Sequence, residues 1–311
     1  MTHWTVDAPT ALEFDDVTEL NVRLIGGTVA VLASAERESS PRQAAPRTPR
    51  GSLAVTELSG RPLQVSHSDG ILTVSYESLS WDGLLGFLKP RKDRAVVTIM
   101  VPVECSIQLG VLSASAVVAG LHAGAAVKGM SGDITLDGVT GDVSAETMSG
   151  EVAACDIDGE IRFKSMSGGL TLAGGSVGSL AVETLSGQVT ADVSLDDGGS
   201  VHVSTMSGEV TLRLPADSDA KVSLRSTSGA VRTEFETLRT VKAPASHTVS
   251  GNVGAGTGQV SVTTMSGAVT LLRGAPVGME SKTQCPRFSA MDAFGCTCFA
   301  CSTRSQGTAM R

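Results

Sequence analysis

The sequence predicts an all-β chain, a single-stranded β-solenoid (parallel β-helix-like) built from coils of about 16–22 residues behind an irregular N-terminal β cap. Three observations carry this. A hydrophobic-Ser-Gly signature recurs, most often as Met-Ser-Gly, with its glycines at Gly132, Gly150, Gly168, Gly187, Gly208, Gly229, Gly251 and Gly267. On both sides of each glycine, apolar residues alternate with a period of two, the mark of a strand with one buried face. Glycine is abundant at 35 residues while aromatics make up 3%, so small side chains and turns dominate the chain.

Residues 1–115 read as the cap. Around Gly27 the apolar positions Leu20, Val22, Leu24, Ile25, Val29 and Val31 follow the repeat, and around Gly60 Leu53, Val55 and Leu58 do so until Pro62. A terminal coil must close the open end of the core, so departures from the repeat are expected here. Residues 35–50 form a Pro, Arg and Ser-rich loop, Trp81 to Lys92 an amphipathic excursion, and Ala95 to Val103 a return to strand.

Residues 116–273 read as the regular repeats. Two positions after each signature glycine stand Ile134, Val152, Leu170, Val189, Val210, Val231, Val253 and Val269, the first column of one strand. A second strand precedes the glycine, with Val143, Ile161, Leu180, Val201, Val222 and Val260 seven positions before it and Ala145, Phe163, Val182, Val203, Leu224 and Val262 five before it. Only the coil containing Pro244 lapses. Between the strands stands a small hydroxyl column (Thr147, Ser165, Thr184, Thr205, Ser226, Thr248, Thr264), whose phase points inward with the apolar columns and whose small size suits the core, followed by the Met column (Met130, Met148, Met166, Met206, Met265). Alternation is expected to fail there and the chain to turn a corner, with Ser bonding local backbone and Gly accepting φ > 0. Leu185, Thr227 and Val249 at Met-equivalent places favour packing at that corner. Length variation is expected on the opposite edge, around Asp137 to Asp142 and Pro215 to Ala220, with each coil stacking on its sequence neighbour.

Residues 274–311 read as a Cys-containing unstructured tail. Alternation stops after Arg273, and Cys285, Cys296, Cys298 and Cys301 crowd together, whereas Cys105 and Cys155 are widely separated. A thiolate zinc site needs two spaced CxxC pairs or a following His, and this run has neither. The abrupt change of composition reads as a shifted reading frame or an unselected segment.

Bulk charge excludes further classes. A net charge of −8 argues against nucleic acid and against attachment to a membrane surface, both of which draw affinity from Lys and Arg. Met1 to Asp16 lacks the layout of a secretory signal, and the expected location is cytoplasmic.

In a solenoid, one template position becomes a row of neighbours, so a functional site should appear as a column. Glu146, Lys164 and Glu183 alternate in sign and read as a surface salt-bridge ladder. The pairs Asp133 with Glu151 and Asp142 with Glu160 offer stacked carboxylates that calcium would accept, but a two-coil run is better read as solvated edge charge. A polysaccharide-cleaving β-helix would need a carboxylate pair or a base beside Arg or Lys, for which Lys164 between Glu146 and Glu183 is the sole candidate. His67, His122, His202 and His247 fall at unrelated template positions, which supports neither a metal nor a nucleophile arrangement.

The opening pattern from Leu12-Glu13-Phe14 to Val31, with Leu20-Asn21-Val22 and Gly26-Gly27-Thr28-Val29, and repeats such as Val203-Ser204-Thr205-Met206-Ser207-Gly208-Glu209-Val210 resemble a known family. It is the bacterial putative-adhesin family of β-strand-repeat proteins, a domain of unknown function, and the likeness covers about residues 10–273. It implies a β-solenoid and carries over no catalytic or ligand residue. The expected function is therefore a non-enzymatic binding or scaffold module without cofactor or metal, engaging a protein or glycan partner. The alternatives are homo-assembly through the solenoid ends into filaments, or a carbohydrate-binding or polysaccharide-cleaving β-helix.

Overall fold

The computed structural model describes residues 2–34, 50–76, 93–243 and 246–276. Both expected excursions, 35–50 and 81–92, lie outside the described residues except for Arg50, and so does the tail beyond 276, including its four cysteines and the zinc question they raised. Every regular element among the described residues is a strand.

The N-terminal strands are β1 (Thr2–Val6), β2 (Thr10–Asp15), β3 (Glu19–Ala33), β4 (Arg50–Ser59), β5 (Leu63–Ser68), β6 (Ile71–Tyr76) and β7 (Arg94–Val101). The repeats follow as β8 (Ser106–Ala119), β9 (Ala125–Gly129), β10 (Ile134–Asp137), β11 (Val143–Thr147), β12 (Val152–Cys155), β13 (Gly159–Ser165), β14 (Leu170–Thr184), β15 (Val189–Thr205) and β16 (Val210–Pro215). The chain continues through β17 (Ala220–Ser226), β18 (Val231–Thr233), β19 (Arg239–Ala243), β20 (Ser246–Val253), β21 (Gly258–Thr264) and β22 (Val269–Gly274).

Parallel pairing between repeats builds two faces around one core. On the first face β3, β8, β9, β11, β13, β14 and β15 pair in that order. On the second, β3, β8, β10, β12, β14, β15 and β16 do the same. The registers match the sequence columns: Val143 lies beside Ile161, Ile161 beside Leu180, and Val152 beside Leu170. These columns are buried, as a period-two pattern requires when one face of each strand meets the core.

The edge opposite the corner is more than a variable loop. Leu121, Val139, Ile157 and Val177 are fully buried there, and Thr140 bridges Asp158 in parallel. Each of these apolar residues lies within one or two positions of a turn glycine or Asp, so the isolated valine or isoleucine carries too short a pattern to register as a strand.

The C-terminal stacking order departs from chain order. β15 pairs with β21 rather than β17, and β16 pairs with β22, so the Gly267 repeat sits directly on the Gly208 repeat. The Gly229 repeat follows outside it, with β17 parallel to β21 and β18 parallel to β22. Gly251 is not a corner. It lies within β20, which pairs antiparallel with β17 and with β19 as a hairpin that closes this end. Identical column chemistry allows any repeat to stack on any other, so the pattern alone could not fix the order.

The opposite end is closed similarly. β2, β4 and β7 pair antiparallel, as do β1, β5 and β6. Asp93 is buried there and held by Arg61, whose Nη2 lies 3.0 Å from Oδ2 and whose backbone N–H donates to Oδ1 at 3.1 Å. The same guanidinium sits 5.7 Å from the Tyr76 ring centroid.

Candidate functional site

The Met-Ser-Gly corner resolves into three separate jobs. Ser is the tie between repeats. Ser149 Oγ donates to the Met130 carbonyl at 3.2 Å, Ser167 Oγ to that of Met148 at 3.1 Å, and Ser186 Oγ to that of Met166 at 3.3 Å. The backbone N–H of each of these serines donates to the same carbonyl.

The corner glycines are required for space, not for φ. None of Gly132, Gly150, Gly168, Gly187, Gly208, Gly229 and Gly267 has positive φ. A Cβ at Gly168 would collide with the Gly150 carbonyl oxygen, and one at Gly187 with that of Gly168. Repeats approach each other so closely here that only a residue without a side chain fits.

The hydroxyl column faces inward, as its small size implied. Ser165 Oγ accepts the Gly168 N–H at 2.7 Å and Thr147 Oγ1 the Gly150 N–H at 3.0 Å, each capping its own corner. Alternation therefore continues through the hydroxyl and slips only between Met and Ser, both of which are exposed.

That one-residue difference reverses the reading of the Met column. Packing at the corner is the expectation, yet Met130, Met148, Met166, Leu185, Met206 and Met265 are 42% to 58% exposed. Half-buried Leu112 and Ile25 continue the row toward the N-terminus. Seven steps at about 4.8 Å make an apolar ladder about 34 Å long on the outside of the molecule.

Two residues before each rung, on the same outer side, runs the charged column. Lys164 Nζ lies 3.2 Å from Glu183 Oε2, within the ladder read from the sequence. Glu146 pairs with Lys128 at 3.1 Å, and Lys128, at the same template position, adds a fourth rung to the ladder of Glu146, Lys164 and Glu183. β9, β11, β13 and β14 hold the four in adjacent register, reading Lys128, Glu146, Lys164, Glu183.

Between the two rows lies a groove of about 770 Å³. Arg23 and Gly110 line one end, His202 and Ser204 the other, and the Met and charged rows its length. Among the described residues its lining contains no Trp, Tyr or Phe.

The two stacked carboxylate pairs differ in role. Asp133 accepts the Glu151 N–H at 3.2 Å, fixing one repeat against the next. On the far edge, burial and the Asp156 charge push the Asp137 carboxyl above its usual range. Asp158 accepts the Ser176 N–H at 2.8 Å, while Asp142 and Glu160 are exposed at the strand starts.

Against this geometry, the sequence profile described as Toastrack DUF4097 matches residues 55–272. The chain belongs to this family. Among solved structures, the DUF4097 chain is similar to a putative cell adhesion protein from Clostridium sporogenes, at 12% identity over 86% of this chain and 100% of that one, with a TM-score of 0.28. It is also similar to a putative adhesin from Bacteroides fragilis, at 13% identity over 86% and 97% with a TM-score of 0.36. A putative lipid binding protein from Parabacteroides distasonis is likewise 13% identical over 86% and 97%, with a TM-score of 0.31. Comparison with curated proteins finds no match.

Proposed function

We propose that this DUF4097 chain is a non-enzymatic β-solenoid that acts as a cytoplasmic binding or scaffold module, presenting the groove beside the Met ladder to a protein partner. The observation that carries this reading is the exposed apolar row itself. A contiguous row of large apolar side chains in water is costly and marks an interaction surface. Methionine suits that use because its unbranched thioether adapts to a partner's shape.

The flanking charges narrow the partner class. Alternating Lys and Glu favour a polar rim that sets register, the usual division of labour in a protein interface. Sugar rings stack on aromatic faces, and the described residues of the groove lining supply none. A nucleic acid would meet Glu146 and Glu183 as often as Lys128 and Lys164. Each of these carboxylates is engaged by a lysine, which does not favour glycosidic-bond cleavage. The antiparallel strands that close both ends weigh against end-to-end filaments.

The test is site-specific photo-cross-linking in the native cell. A cross-linking residue at Met166 should trap a defined protein, whereas one at Thr171, exposed on the second face, should not. Equal trapping at both positions, or none at Met166, would overturn the proposal.

A further inference from the structure

The charged row has a symmetry that names an occupant for the groove. We propose that the face bearing the Met ladder pairs with the same face of a second copy of this chain, around a two-fold axis perpendicular to the ladder between the Met148 and Met166 rungs. This rests on the reading of the groove as a protein-binding surface and specifies the partner.

The register of the charges selects the axis. The row reads Lys128, Glu146, Lys164, Glu183 in consecutive rungs. A two-fold axis lying in the interface and crossing the ladder reverses the order of the facing copy. Lys128 then meets the other copy's Glu183, and Glu146 meets its Lys164, so all four rungs face opposite charge. An axis along the charged row would set each residue against itself, Lys on Lys and Glu on Glu, and one between the two rows would set methionine against charge. A closed isologous dimer admits no one-rung slip to repair that.

The same operation keeps apolar on apolar. Met148 faces the other copy's Met166 and Met130 its Leu185, while the charged row stays over the charged row. The axis also halves the whole ladder, four rungs from Ile25 to Met148 on one side and four from Met166 to Met265 on the other. Outside the four charges the rows bring Gly110 to Ser204 and Arg23 to Thr263, which introduces no like-charge contact. The Met, charged and Arg162 columns lie two residues apart, so a strip about 34 Å long and about 14 Å wide offers about 480 Å² per copy, with Arg162 facing the other copy's Ser144. This is the small end of specific interfaces and suits a monomer–dimer equilibrium.

Sedimentation velocity on the full chain, with circular dichroism to verify folding, tests this. The wild type should show a monomer–dimer equilibrium. Glu146→Lys places lysine opposite Lys164 at both symmetry-related sites and should weaken dimerisation at least tenfold, and Met166→Glu should do the same. The fourfold exchange Lys128→Glu, Glu146→Lys, Lys164→Glu, Glu183→Lys restores a self-complementary row and should restore the dimer. Mixed with wild type, the fourfold variant should not form heterodimers, because position 128 of one would meet position 183 of the other with the same sign.

A wild type that stays monomeric at its solubility limit overturns the proposal, as does a dimer insensitive to Glu146→Lys and Met166→Glu. Heterodimers between wild type and the fourfold variant overturn the antiparallel axis. If the chain is monomeric yet a cross-linker at Met166 traps a different protein, the second copy is wrong and the groove remains a protein-binding surface. If neither occurs, both readings fall.

Discussion

Replacing Gly168 with Ala separates two explanations of the corner that the bare sequence merges. If the glycine were there for backbone freedom, alanine would cost the penalty of a left-handed conformation, about 1 to 2 kcal/mol. Gly168 has no positive φ, so that term is absent. Instead its Cβ would collide with the Gly150 carbonyl oxygen and stand 3.0 Å from both the carbonyl carbon of Gly150 and Ser165 Oγ. Two of those three atoms are backbone held by the strand pairing around them, and relief requires prising the two repeats apart at the corner. The overpacking costs about 1 to 3 kcal/mol. Separation also weakens the bonds from the Ser167 N–H and Oγ to the Met148 carbonyl, at 2.9 and 3.1 Å, each worth about 1 kcal/mol. The expected loss is about 3 to 5 kcal/mol. Gly138 is the internal control, with φ 58° and nothing within 4 Å of its Cβ; alanine there should cost only the conformational term of about 1 to 2 kcal/mol. Urea unfolding followed by circular dichroism measures both through the shift in midpoint at constant slope. A Gly168→Ala loss equal to or below that of Gly138→Ala would refute the steric account.

Three further outcomes follow from the same geometry. Ser165→Ala strands the buried Gly168 N–H and should cost about 1 to 3 kcal/mol, whereas Thr184→Val removes a buried hydroxyl that has no partner among the described residues and should be neutral or stabilising in the same unfolding assay. Burial, reinforced by the Asp93 charge, raises the Tyr76 phenol to about 12, and burial, reinforced by Glu19, raises the Cys105 thiol to about 12. Both groups stay protonated in the fold after they would ionise in the unfolded chain. Their contribution is therefore full below pH 9 and falls between the ordinary values of 9.0 and 10.0 and about 12, and Tyr76→Phe with Cys105→Ala should flatten that part of the stability profile. Ser167→Ala with Ser186→Ala should cost roughly 0.5 to 1 kcal/mol per hydroxyl, because the backbone N–H of each serine still reaches the same carbonyl; a larger loss would mean that the hydroxyl, not the N–H, holds the corner.

Much of the architecture is written in the sequence because burial on one face of a strand forces a period of two, and repetition converts that period into columns. The columns headed by Val152 and Val143, the inward hydroxyls and the alternating charges of Glu146, Lys164 and Glu183 are all legible that way. The family is legible too, since its signature is the repeat itself. What repetition cannot encode is which repeat lies on which, because equivalent coils present equivalent edges. The placement of the Gly267 repeat on Gly208, and the use of the Gly251 segment as a closing hairpin, therefore belong to the tertiary structure. The same holds for the site. A column of methionines reads as core by composition, and only the backbone turn between Met and Ser, forced by the contact of Gly168 with Gly150, decides that those side chains point into water beside a row of opposed charges.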